Sequence, residues 1–124
     1  MTRENFVSPQ AEQDIATILR WTQQHFGKRG RLRYEALLVR AIIDITNDPA
    51  RPGSHARPEI GDEVRTYHLR FSRDRVAKSV GRVQKPRHFI LYRTQPVGLV
   101  EIGRILHDSV DLRDDSVASH GSSC

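Results

Sequence analysis

The chain is poor in the residues that would commit it to a disulfide scaffold, a metal site or a membrane. It has one cysteine, Cys124, at the last of its 124 positions, so neither an internal disulfide nor a thiol cluster at metal spacing is available. That thiol reads as a free group on a frayed end. No apolar run approaches the roughly 18 residues of a membrane span, and the opening MTRENFVSPQ lacks the hydrophobic stretch of a signal peptide. A soluble, cytoplasmic protein with no membrane association is expected. Six histidines, at positions 25, 55, 68, 88, 107 and 120, show no tight ligand spacing, so no metal or other cofactor is expected. Apolar residues make up only 37%, but charged residues, at 28%, are near the globular average, which favours a folded domain with polar loops over a disordered chain.

This length holds one core and not two with a linker. Residues 1–115 are therefore read as a single domain, and 116–124, SVASHGSSC, as a disordered tail with too few apolar residues to fold. Charge is uneven along the domain. From Arg65 to Arg93 nine basic residues face one acid, Asp74, so this segment carries +8 of a net +5 and the remainder carries −3. Such a block draws polyanions or acidic protein segments; the alternative is a solvated charged hairpin that binds nothing.

Ser8 and Pro9 supply an N-cap and a first-turn proline after the short extended stretch RENFV. Ala11, Ile15, Ile18, Leu19, Thr22 and Phe26 then recur at helical spacing up to Gly27, a natural stop. After KRGR a wider stripe, Leu32, Ala36, Leu38, Val39, Ile42, Ile43 and Ile45, runs to Asn47-Asp48-Pro49. Two amphipathic helices in an antiparallel hairpin follow from this pattern. PARPGSHARPEIGD, 49–62, is too rich in proline and glycine for regular structure and reads as a surface loop. EVRTYHLRF at 63–71, RHFILYRT at 87–94 and GLVEIGRIL at 98–106 read as three antiparallel strands, with Tyr67, Leu69 and Phe71 sharing one face. The expected fold is α+β: an N-terminal strand, a helical hairpin and a small antiparallel sheet, in the order β-α-α-β-β-β.

In that order the sequence resembles the RelE/ParE superfamily of type II toxin-antitoxin toxins, and more closely its ParE branch. The resemblance is carried by SPQAEQDIATILRW at the start, HFG at 25–27, NDP at 47–49, HFILYR at 88–93 and VEIGRILHDSVDL at 100–112. Trp21, Tyr92, Arg93, Arg104, His107 and Asp111 are its signature residues. The chain departs from the family in a longer turn at 72–86 and in its serine-rich end. The resemblance implies a toxin that inhibits DNA gyrase by binding it, blocking replication and growth. It implies neutralisation by a cognate ParD-like, ribbon-helix-helix antitoxin in a hetero-oligomeric complex, with operator DNA reached only through that antitoxin. RelE-like relatives are instead ribosome-dependent mRNA endoribonucleases.

A ribonuclease needs groups that activate a 2′-hydroxyl, stabilise the phosphorane and protonate the leaving oxygen. Arg65, His68, His88, Arg104 and His107 are the candidates. RelE-like enzymes, however, use a tyrosine near the C-terminus, and here the last tyrosine is Tyr92. Strict alternation puts Arg104 on one face with Val100, Ile102 and Leu106, and His107 on the other with Ile105. Arg104 then needs a carboxylate, for which Asp111 is the guess, while His107 caps the strand exit with Asp108 or Asp111. Trp21 and Tyr92 read as core or groove residues. An inhibitor that works by binding asks less of these residues, and its target contacts are expected at Arg73, Arg75, Lys78, Arg82, Lys85 and Arg87.

Overall fold

Ser8 sets where the helical layer begins. In the computed structural model, which describes residues 4–112, its Oγ accepts from the Ala11 amide at 3.1 Å and Pro9 occupies the first turn, satisfying a helix-end donor. Helix α1, Pro9–Asn47, is broken at Gly27, where φ is 76° and ψ −177°. That region of backbone space is open essentially to glycine alone, so the helix becomes two arms, 9–26 and 28–47. Asn5 Nδ2, before the first arm, donates to Thr46 Oγ1 at the end of the second at 3.1 Å, which brings the arms together as a hairpin. KRGR, expected as part of the connection, is already helical; a single glycine makes the break. The tail 116–124 lies outside the described residues.

The sheet has five strands: β1 Asn5–Val7, β2 Ser54–Ala56, β3 Val64–His68, β4 His88–Thr94 and β5 Val100–His107. Their order is β1-β5-β4-β3-β2, with β1 parallel to β5 and the other pairs antiparallel. The fold is α+β, as the sequence implies, but the sheet is mixed and holds one strand more than expected. β2 lies inside the stretch read as an irregular loop. It is held as an edge strand by β3, where Arg65 Nη2 donates to Ser54 Oγ at 2.9 Å and Arg57 Nε to Thr66 Oγ1 at 3.0 Å. The strand expected to run to Phe71 ends at His68 and tightens into a 3-10 segment, Leu69–Arg75. Tyr67 and Leu69 are buried as the alternation predicts, whereas Phe71 is exposed.

The core lies between the hairpin and one face of the sheet. Ala11, Leu19, Leu37, Leu38, Ala41 and Ile45 of α1 meet Tyr67, Ile90, Tyr92, Val100, Ile102 and Ile105 of the strands. Part of the expected helical stripe is not in this core. Phe26, Leu32, Val39 and Ile43 are exposed, and Tyr34, Leu37 and Ala41 take the buried positions of the second arm. Trp21, expected in core or groove, is 52% exposed.

β5 carries a bulge that strict alternation misses. Leu91 pairs with Arg104 and Tyr92 with Ile102, so Gly103 is the extra residue. The side-chain sense reverses there: Ile105 rejoins Val100 and Ile102 on the core face, and Arg104 does not share it. β1 stops at the level of Ile102, leaving the next stretch of the β5 edge open. α1 closes it: Ser8 Oγ donates to the Gly103 carbonyl at 2.8 Å, and the Ile105 amide donates to Asp14 Oδ2 at 3.0 Å. The same carboxylate takes Arg104 in a two-pronged pair, Nε–Oδ2 at 2.7 Å and Nη2–Oδ1 at 3.0 Å. Arg104 thus meets Asp14 from the first arm, where the sequence reading put Asp111.

Candidate functional site

The apolar residues left outside the core make a groove. Leu32, Ala36, Val39 and Ile43 follow the spacing of one helical face and line one side, while Val76, Ala77 and Val80 line the other. The groove encloses about 1050 Å³, and its rim carries Arg29, Arg33, Arg40 and Arg75 against one acid, Glu35. A wide stripe in the sequence therefore splits into two faces. One packs on the sheet and the other stays open.

The second wall exists because Asp44 pins it. This carboxylate, only 1% exposed, accepts from Ser72 Oγ at 2.6 Å, Arg75 Nε at 3.0 Å and Arg40 Nε at 3.1 Å, with Arg51 Nη1 at 3.6 Å. Tyr67 Oη, fully buried, bonds to Ser72 Oγ at 2.8 Å. Burial pushes the Asp44 carboxyl up, but the bonds from Ser72 and Arg75 and the charges of Arg40 and Arg51 outweigh it and hold the group below its usual value. The excursion beyond is closed by Arg73 Nη1 donating to the Gln84 carbonyl at 2.7 Å. It is seated on the second arm at Gly81, φ 102°, where a Cβ would come within 2.7 Å of Arg33 Nε.

A second polar cluster occupies the sheet end where β3 finishes, β4 begins and β5 finishes. His88 and His107 pair across β4 and β5, with rings edge-on at 5.4 Å. The Tyr34 hydroxyl accepts the Arg87 amide at 3.1 Å and lies 2.6 Å from His88 Nδ1, to which it donates when that ring is neutral. Burial, then the neighbouring His107, pushes His88 down to about 4, and burial pushes Tyr34 up to about 12. Asp108 takes Arg87 through Nε at 3.1 Å and Nη2 at 3.0 Å and His68 Nε2 at 3.1 Å. The Arg87 bond, against partial burial, holds that carboxyl at about 2. His68 is lowered by burial despite its bond to Asp108.

Three of the five nuclease candidates, His68, His88 and His107, thus gather at this sheet end, where Asp108 lies 3.1 Å from His68 Nε2 and 3.7 Å from His107 Nδ1; Arg65 and Arg104 are held elsewhere. His68 lines a cleft of about 580 Å³ together with His55, Arg57, Arg70 and Asp108. His88 points to Tyr34, Arg65 to Ser54 and Arg104 to Asp14. His107 Nδ1 accepts from the Ser109 amide at 3.1 Å and lies 2.7 Å from its hydroxyl, closing the strand exit. Of the expected target contacts, Arg75 is tied to Asp44, Arg82 to Asp74 at 3.1 Å, Arg87 to Asp108 and Arg73 to Gln84. Lys78 and Lys85 form no ion pair among the described residues and stand in solvent. Among the signature residues, the buried Tyr92 donates to the Pro49 carbonyl at 2.5 Å, and Arg93 reaches Glu101 at 3.6 Å. Asp111 lines the His68 cleft. Asp14, Tyr34 and Asp44 escaped the sequence reading because the bonds that define their roles, to Ile105, His88 and Ser72, span 91, 54 and 28 residues.

Among the described residues no helix is long and apolar enough to cross a membrane, and no group of three histidine, cysteine or acidic residues could hold a metal ion. A hairpin on a small mixed sheet, closed by the Ile-x-Arg-Ile-Leu-His strand, is consistent with the fold of the RelE/ParE superfamily of type II toxin-antitoxin toxins. Residues 6–112 match the family model described as the ParE toxin of the type II toxin-antitoxin system, parDE. The chain belongs to the ParE toxin family, and an antitoxin is the partner this membership implies. No curated protein matches the chain.

Proposed function

We propose that this toxin arrests growth in the cytoplasm by binding DNA gyrase, not by cutting RNA, and that a ParD-like, ribbon-helix-helix antitoxin neutralises it. The observation that carries this reading is that every nuclease candidate is engaged within the molecule: His68, His88 and His107 cluster but bond to Asp108, Tyr34 and Ser109, and Arg65 and Arg104 are held by Ser54 and Asp14. Catalysis at neutral pH needs a base and an acid within hydrogen-bond reach of one phosphate. His88 is buried against Tyr34 and Arg104 is bound by Asp14, so each already has an internal partner. A binding inhibitor needs surface only, and the open groove with its arginine rim is surface suited to an acidic, amphipathic segment. The antitoxin is the occupant proposed for the groove, by charge complementarity; operator DNA is reached through it.

For the gyrase contact, Lys78 and Lys85 are the informative members of the basic block, since the four arginines have internal partners. Lys78→Glu with Lys85→Glu should weaken gyrase binding and inhibition of supercoiling by about tenfold or more at physiological salt, as like-charge placement at an interface does. Unchanged inhibition by a folded double variant would remove this segment from the target contact.

A further inference from the structure

We propose that the hinge end of α1 is a platform for single-stranded nucleic acid, built on Trp21 and His25. The two rings lie one helical turn apart and are stacked, with centroids 4.0 Å apart and planes at 19°. His25 Nδ1 lies 2.9 Å from the Trp21 carbonyl, which fixes its ring. The pair is displayed and not buried: Trp21 is 52% and Phe26 68% exposed, and Phe26 lies 5.9 Å from the indole. The break at Gly27 ends the first arm directly beyond these rings.

The chain segment that carries these rings is cationic. Residues 20–33 contain five cations, Arg20, Lys28, Arg29, Arg31 and Arg33, and no acid. None of the five forms an ion pair among the described residues, in contrast to Arg75, Arg82 and Arg87. Arg20 and Arg31, one from each arm, line one shallow depression with Gln23 and Gln24. Four of the five cations are arginines, whose planar heads stack on bases as well as neutralise phosphates, and pre-stacked aromatics beside such charge are what unpaired bases bind. A duplex hides its base faces from such a pair, and an acidic peptide has no rings to stack. The inference does not depend on the gyrase reading, and it shares Arg29 and Arg33 with the rim of the groove proposed for the antitoxin.

Trp21 is the single tryptophan of the chain, so its emission reports on this site directly. Titrating the full-length toxin with a 12-nucleotide oligothymidylate should quench that emission, with an affinity that falls as salt rises. Trp21→Ala should weaken binding of a labelled oligonucleotide about tenfold and Trp21→Phe should restore most of it. Arg29→Ala with Arg31→Ala should flatten the slope of log affinity against log salt by about 1.4. These side chains are outside the core, so melting temperatures should stay unchanged. Absence of quenching, wild-type affinity in the Trp21→Ala variant, or equal quenching by duplex DNA, poly-glutamate or phosphatidylglycerol vesicles would overturn the proposal.

Discussion

Four donors converge on the Asp44 carboxylate from two elements and the loop after α1. Because the group is buried, losing its charge removes charge-assisted bonds and leaves Ser72, with no exposure of its own, short of its acceptor. Asp44→Asn should lower unfolding free energy by about 2–3 kcal/mol, seen as a lower urea midpoint at unchanged slope. His88 gives a different signature. Its folded value near 4 lies below the ordinary 6.5, so between those two pH values the unfolded chain binds a proton that the native state refuses. Stability therefore falls as pH drops from 6.5 towards 4. The His88 contribution, discounted for partial exposure, is on the order of 2 kcal/mol. His88→Gln, which still offers Tyr34 an acceptor, should flatten the stability profile across that window. Asp108, held at about 2, contributes stability that is present above its unfolded value and lost as pH falls towards 2. Apart from Arg40–Asp44, an i,i+4 pair on one helix, these pairings are not legible in the sequence, since residue type does not reveal which distant carboxylate meets which arginine.

At the scale of elements, the local signals that succeeded were those in which neighbouring residues decide the outcome. Ser8-Pro9 starts the helix, and the Val-Ile-Leu-rich runs of β4 and β5 are strands by their own composition. Failures came where tertiary structure overrides local preference. β2 is three residues between prolines, made a strand by β3 alone. The bulge at Gly103 follows from the pairing with β4 and reverses every face assignment after it. The second-arm stripe held apolar residues for two faces, and periodicity cannot say which of them packs. Gly27 links sequence to architecture most simply. Gly27→Ala meets no neighbouring atom within 4 Å yet must adopt φ 76° and ψ −177°, so it should cost about 1–3 kcal/mol through backbone strain alone. Equilibrium unfolding by circular dichroism would measure it; an unchanged midpoint would mean the hairpin turns without that conformation.

Over the whole molecule, the sheet and the Asp44 hub act as a frame that holds open an arginine-rimmed groove on one side of the hairpin. If the groove receives the antitoxin, an acid placed on its floor should affect association and not folding. Val39→Asp, at a position 53% exposed, should change stability by less than about 0.5 kcal/mol while weakening antitoxin affinity at least tenfold. Calorimetric titration paired with thermal melting separates the two effects. The central claim is that this ParE-family toxin disables gyrase without being a nuclease. Its most direct measurement incubates the purified toxin with gyrase and supercoiled plasmid, and in parallel with translating ribosomes and mRNA. Gyrase inhibition should show as lost supercoiling and accumulated linear plasmid with intact mRNA. Ribosome-dependent mRNA cuts with undisturbed supercoiling would contradict it.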